Sequence, residues 1–153
     1  MKDLLIKNAH IIGADEIIIE DGCMVIEQGR FEYVGAITEE IEKLQYDKVI
    51  NAQGKIAAPG LVNAHTHSPM VLLRNYANDY PIQKWLFDYI IPAENKLSSE
   101  NIYWGAQLAV AEMIQSGTTA FLDMYLYMEE VAKVVAETGI KACLSKDIIK
   151  SKV

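Results

Sequence analysis

The sequence predicts an α/β fold, with a small β unit over residues 1–57 followed by about three parallel βα units over residues 58–153. Three observations point there. Apolar and β-branched runs punctuated by turn residues fill the first part, and the pattern changes at Pro59. Beyond that proline, short apolar runs alternate with stretches of helical period.

A chain of 153 residues is long enough to bury a core. With 51% hydrophobic and 23% charged residues the composition is globular and carries no signature of disorder. The formal charge of −7 argues against nonspecific binding to nucleic acid or to an acidic membrane surface. Cys23 and Cys143 lie far apart with no metal-ligand spacing, and are expected to be reduced thiols of a cytoplasmic protein. The opening MKDLLIKNAHII is short, contains Asp3 and lacks a small-residue cleavage site, so it does not read as a signal peptide. No run approaches the roughly 18 apolar residues that span a bilayer.

In the first part, Leu4–Ile6 and Ile17–Ile19 read as strands separated by turn residues such as Gly13. Asp21-Gly22 is a short-range turn signal between two apolar runs. Gln28-Gly29 divides Met24–Glu27 from Phe31–Val34 and predicts a hairpin. Lys48–Ile50 and Lys55–Ala57 flank Asn51-Ala-Gln-Gly54 as another candidate pair. The whole reads as a small antiparallel β unit.

Gly60–Ala64 suits a buried parallel strand ending at His65. Pro81 can open a helix, and Ile82, Trp85, Leu86, Tyr89 and Ile90 fall on one helical face that Pro92 should stop. Ser98 is an N-cap candidate for the next helix, with Glu100 in its first turn. Its buried stripe is Ile102, Ala106, Ala109, Val110, Met113 and Ile114, and Gly117 its stop. Thr118–Met124 is a second strand, Val131, Val134 and Val135 mark a short helix ended by Gly139, and Ile140–Leu144 is a third strand.

The chemistry centres on Asn63-Ala64-His65-Thr66-His67. Residues two apart on an extended strand share a face, so both imidazoles can converge on one point. Imidazole nitrogen suits zinc, iron or nickel. The pair sits at a strand C-terminus, where the active sites of (β/α) barrels lie. A bare His-x-His is equally compatible with ordinary hydrogen-bonded histidines; here the pair makes up two of the chain's three histidines. His10 has no such setting and reads as structural or exposed.

Pro59-Gly-Leu-Val-Asn-Ala-His-Thr-His67 after a small β unit resembles the amidohydrolase superfamily. Further segments resemble its 5-methylthioadenosine/S-adenosylhomocysteine deaminase branch, parts of which are shared with the chlorohydrolase and guanine deaminase-like branches. They are Pro69–Arg74, Trp85-Leu86, Ile91-Pro-Ala-Glu94, Tyr103-Trp-Gly105, Ser116–Thr119 and Asp123-Met-Tyr125. The resemblance implies the N-terminal part of a metal-dependent TIM-barrel hydrolase preceded by part of a small β-sandwich. It also implies a divalent ion, usually zinc, on His65 and His67, activating water for attack at C6 of an adenine ring with loss of ammonia. Glu94 matches a residue that contacts ribose hydroxyls, with a solvated loop carboxylate as the lesser alternative. Trp85 matches a pocket-lining aromatic, while its periodicity alone places it on a buried helix face. Lys146 stands where an arginine near the substrate is common in that branch, and keeps the charge without the planar fork. Asp123 is expected to be a structural hydrogen-bonding residue.

A complete barrel takes eight βα units and about 250 residues. This chain supplies three strands at most, and no histidine follows His67. No catalytic acid or base is therefore assigned within it, and the metal site is expected to be incomplete. The isolated chain is expected to be inactive, and to self-associate or to require a complementing C-terminal chain. A different heterocyclic substrate (guanine or a triazine) and a non-catalytic, partner-binding remnant are the alternatives. A small-molecule nucleoside, rather than nucleic acid or membrane, is the expected partner.

Overall fold

The structure, a computed structural model, describes residues 2–14 and 17–146, so the tail after Lys146 lies outside the described residues. The chain divides into two compact units, Met1–Pro59 and Gly60–Val153.

The first unit is a five-stranded mixed sheet built on β1 (Lys2–Ile12). β1 pairs antiparallel with β2 (Ile18–Glu27), which pairs antiparallel with β3 (Arg30–Ala36). Gln28 and Gly29 join those last two strands with φ of 51° and 71°, the left-handed pair that matches the twist of a tight hairpin. On its other edge β1 takes β4 (Tyr46–Asn51) along its first half and β5 (Ile56–Ala57) near its end, both in parallel.

Three expectations are corrected here. Residues 48–50 and 55–57 do not pair with each other: each finds its partner on β1, because residues 52–55 form a turn that carries the chain forward along that strand. The unit is therefore mixed rather than antiparallel. Asp21-Gly22 makes no hairpin either. Asp21 takes φ 51°, and β2 gains a bulge there, answered by one at Asn8 (φ 58°) in β1. Both flanks of Asp21 stay paired with β1, so the left-handed residue kinks a strand instead of ending it.

A short helix, α1 (Glu39–Lys43), was not anticipated. Thr38 caps it, its hydroxyl accepting from the Ile41 amide at 3.3 Å. Its Ile41 packs with Leu5, Cys23 and Val25 on one face of the sheet, while Ala9, Ile11, Met24 and Ala52 cluster separately. Both cysteines are free, Cys23 buried and Cys143 exposed, and burial raises the Cys23 thiol pKa.

The second unit holds a three-stranded parallel sheet in the order β6 (Leu61–Thr66), β7 (Thr118–Tyr125), β8 (Lys141–Lys146). β6 is not buried as expected: Leu61 and Val62 are 62% and 68% exposed, since within the unit β6 is an edge strand paired on one side alone. A 3₁₀ helix, Ser68–Leu73, follows it directly.

The next helical stretch runs through α2 (Ile82–Lys84), a π-helical segment (Trp85–Ile90) and α3 (Ile91–Glu94). Pro92 does not stop it. Proline lacks the amide for an i→i−4 bond, and the wider π turns just before it let the chain continue while that bond is missing. The change of period also redistributes the predicted stripe. Ile90 is fully buried and Trp85 and Leu86 half-buried, whereas Ile82 stands in solvent and Tyr89 stacks on Tyr80 at 4.6 Å.

Helix α4 (Ser99–Gln115) begins at a capping box: the Asn101 amide donates to Ser98 Oγ at 3.3 Å, and the Ser98 amide donates to Asn101 Oδ1 at 2.9 Å. Its Ile102, Ala106 and Val110 meet Phe121 and Tyr125 of β7 and Val131 and Val134 of α5 (Met128–Thr138) in one core. Ile114, placed in the stripe from sequence, is exposed. Gly105 brings α4 onto the 3₁₀ helix, because a Cβ there would sit 2.9 Å from the Pro69 carbonyl oxygen and 3.1 Å from Leu72. Arg74, just past that helix, donates to both oxygens of Glu112 on α4 at 3.0 and 2.6 Å. No helix among the described residues is long and apolar enough to cross a membrane.

Candidate functional site

β6 delivers His65 at its C-terminal end, and His67 follows as the residue preceding the 3₁₀ helix. Their ring centroids are 5.2 Å apart and nearly perpendicular, so the two imidazoles stand side by side. The period of two in the sequence holds across the strand end, even though His67 (φ −126°, ψ 69°) has already left the regular strand.

The tip of β7 organises what surrounds them, through three consecutive residues. Asp123 is fully buried. Its Oδ1 accepts from the Ser68 amide at 3.0 Å, the Met124 amide at 2.9 Å and Thr66 Oγ1 at 3.3 Å, and its Oδ2 accepts from Ser68 Oγ at 2.5 Å. One carboxylate thus fixes the turn on either side of His67. Met124 contributes its carbonyl oxygen, which lies 2.6 Å from His67 Nδ1. A carbonyl can only accept, so Nδ1 carries a proton, and in the neutral imidazole Nε2 is then the nitrogen with the lone pair. Tyr125 places its ring 6.3 Å from that of His67 and donates its hydroxyl to Glu94 Oε1 at 2.7 Å. Burial first, and then the Glu94 carboxylate, hold the Tyr125 phenol pKa far above its ordinary value.

A cavity of about 420 Å³ opens between β7 and the π segment. His67, Trp85, Ile90, Glu94, Met124 and Tyr125 are among its lining, which is mostly apolar. A second depression of about 450 Å³ shares Glu94, Tyr125 and Leu126 with the first and adds Lys146 from the end of β8. The sequence-predicted residues are therefore distributed as follows. His67, Trp85 and Glu94 meet on one cavity, and Glu94 and Lys146 on its neighbour. His65 stands against His67 but does not line either.

Sequence reasoning missed Ser68, the Met124 carbonyl and the Tyr125 hydroxyl. Asp123-Met-Tyr125 was visible as a strand end facing the same way as His65. Which atom each residue would hold depends on a neighbour more than 50 positions away for Asp123 and Met124, and 31 away for Tyr125.

The donor set fits a borderline divalent cation in kind. Two imidazoles lie adjacent, and one has its tautomer set by a backbone carbonyl, the usual outer partner of a metal-binding histidine. In number the set is partial: no cluster of three or more histidine, cysteine or acidic residues suited to a metal occurs among the described residues.

The comparisons set this parallel βα sheet, with two histidines at a strand end, in a known hydrolase family. Residues 56–152 match the model of the amidohydrolase family, and the chain belongs to that family. It is 47% identical over 150 residues to the 5-methylthioadenosine/S-adenosylhomocysteine deaminase of Acetivibrio thermocellus, covering 97% of this chain and 35% of that protein. Over 152 residues it is 45% identical to the 5′-deoxyadenosine deaminase of Methanosarcina mazei, covering 98% of this chain and 34% of that one. Among solved structures, a zinc-bound adenosine deaminase from Xanthomonas campestris superposes with a TM-score of 0.85 at 33% identity, over 92% of this chain and 33% of that one. The zinc complex of an atrazine chlorohydrolase from Arthrobacter aurescens shares the fold, with a TM-score of 0.83 at 20% identity over 94% of this chain and 35% of that one. The chain spans about a third of the length of the relatives it matches.

Proposed function

We propose that this chain is the N-terminal part of a cytoplasmic, metal-dependent aminohydrolase that deaminates adenine nucleosides such as S-adenosylhomocysteine or 5-methylthioadenosine. The observation that carries the reading is the pair of adjacent imidazoles beside a cavity whose wall holds Glu94. The names of the relatives support the nucleoside and the solved deaminase supports zinc.

In this reading β6, β7 and β8 are the first strands of a (β/α)₈ barrel, and the first unit is part of a β-sandwich. His65 and His67 would hold the ion, with His67 offering Nε2 because Nδ1 is committed to Met124. When bound, such an ion supplies a water that ionises near neutral pH. The chain's own residues bind and orient. Trp85 and the apolar wall receive the flat base and exclude water, Glu94 accepts from the vicinal ribose hydroxyls, and Lys146 offers a positive charge beside Glu94 for the rest of the substrate.

Two imidazoles are fewer than the three protein ligands a catalytic zinc usually takes. The 153-residue chain alone is therefore proposed to hold metal weakly, to lack turnover, and to need a complementing C-terminal segment or chain. The test is ammonia release from the metal-loaded protein joined to its complementing C-terminal part, on S-adenosylhomocysteine, 5-methylthioadenosine and guanine, with and without Glu94→Ala, and from the chain alone, where no release is expected. Faster turnover of guanine than of either nucleoside, or an unchanged nucleoside KM in the variant, would overturn the assignment.

A further inference from the structure

We propose that Tyr125 is a positioning residue for Glu94, and through it sets the preference for substrates with an intact ribose diol. This rests on the reading of Glu94 as the ribose-binding carboxylate.

The geometry is asymmetric. Glu94 Oε1 accepts from the Tyr125 hydroxyl at 2.7 Å, while Oε2 has no protein donor among the described residues. Glu94 closes α3, the last turn of a stretch whose hydrogen bonding changes from π to α around Pro92. The backbone there fixes where the side chain starts, but a glutamate still has three side-chain torsions to restrict. Tyr125 restricts them from a rigid base. Tyr125 is 6% exposed and belongs to the core that holds Ile102, Val110, Met128 and Val131, and its backbone on β7 pairs with β8 at Lys146. A carboxylate can only accept, so the hydroxyl hydrogen of Tyr125 is directed at Glu94 Oε1.

The carboxylate is thus presented with one oxygen occupied and the other free toward both depressions it lines. A vicinal diol has two hydroxyl donors that can converge on a carboxylate. Oε2 takes one directly, and Oε1 keeps a second lone pair for the other. Losing Tyr125's bond frees Glu94 to rotate toward water, and weakens diol binding without altering the base-binding wall.

The test is steady-state kinetics of the intact, metal-loaded enzyme with adenosine and with 2′,3′-dideoxyadenosine, for wild type, Tyr125→Phe and Glu94→Gln. Phenylalanine keeps the packed ring, and a thermal melt of each variant confirms the fold. For Tyr125→Phe, loss of one hydrogen bond to a charged group predicts a KM for adenosine raised about ten-fold with kcat within about two-fold. The adenosine-to-dideoxyadenosine ratio of kcat/KM should fall by the same factor. A ratio unchanged in Tyr125→Phe but lowered in Glu94→Gln overturns the positioning role alone. A ratio unchanged in Glu94→Gln overturns the ribose reading itself, and this inference with it. A fall in kcat with both nucleosides alike assigns Tyr125 a purely structural role and also overturns the proposal.

Discussion

Replacing Asp123 by alanine removes the acceptor on which the turn around His67 depends. The Ser68 amide and hydroxyl both lose their partner inside a segment where Ser68 is only 6% exposed. Each buried donor left unpaired costs about 1–3 kcal/mol, so the pair predicts a loss of about 4 kcal/mol. Thr66 and Met124 are more accessible and can turn to water. A domain of this kind has about 5–15 kcal/mol in total, so the loss is a large share of it. Asparagine is the informative control. Oδ1 takes three of the four bonds and Oδ2 only that of the Ser68 hydroxyl, so an amide whose oxygen sits at Oδ1 keeps the three. The serine hydroxyl can rotate to accept from the new NH₂, leaving mainly the lost charge assistance, about 1 kcal/mol. Urea denaturation followed by circular dichroism measures both variants. The reasoning is refuted if Asp123→Ala costs under about 1 kcal/mol, or if asparagine costs as much as alanine.

Other expectations follow from the same contacts. Gly105→Val pushes a side chain against the Pro69 carbonyl and Leu72, and should destabilise by about 1–3 kcal/mol in the same denaturation assay while Gly105→Ala costs less. In the intact enzyme, zinc content after dialysis should drop at least ten-fold in both His65→Ala and His67→Ala, whereas His10→Ala retains wild-type metal; equal retention in all three removes the metal assignment. The Arg74 guanidinium lowers the Glu112 carboxyl pKa, so that ion pair stabilises above the ordinary value of 4.5 and its contribution is lost as pH falls through the depressed one. The urea-midpoint gap between wild type and Glu112→Gln should accordingly be present at pH 7 and close under acid, and a gap that is constant with pH contradicts it. Tyr125, held protonated by burial and by Glu94, should ionise in alkali only as the protein unfolds. Between its unfolded pKa near 10 and its raised folded value, the unfolded chain alone releases that proton, so stability falls as pH rises. A tyrosinate absorbance titration of wild type against Tyr125→Phe reads this directly.

The parts of the structure legible in the sequence are those fixed by neighbours along the chain. The cap at Ser98, the stops at Gly117 and Gly139, the Gln28-Gly29 hairpin and the same-face histidines all follow from local geometry. What escaped depends on distant partners. Nothing near residues 48–57 says that β4 and β5 both seek β1, and an Asp-Gly pair signals a left-handed residue without saying whether the strand turns or bulges there. Pro92 is tolerated because the π segment widens the preceding turns, which no count of apolar residues at helical spacing anticipates. At the site, residue types were legible while the connections among Asp123, Met124, Tyr125 and their partners were not.

The tip of β7 has a consequence for how tolerant this region is of change. Side chain, main-chain carbonyl and phenol in succession grip the Ser68 turn, one imidazole and Glu94. Successive strand residues face opposite ways, so a single inserted or deleted residue in Thr118–Phe121 would rotate all three grips away together. That strand can therefore accept exchanges of side chain at its start but no change of length, and insertions scanned along it should abolish the site abruptly rather than by degrees.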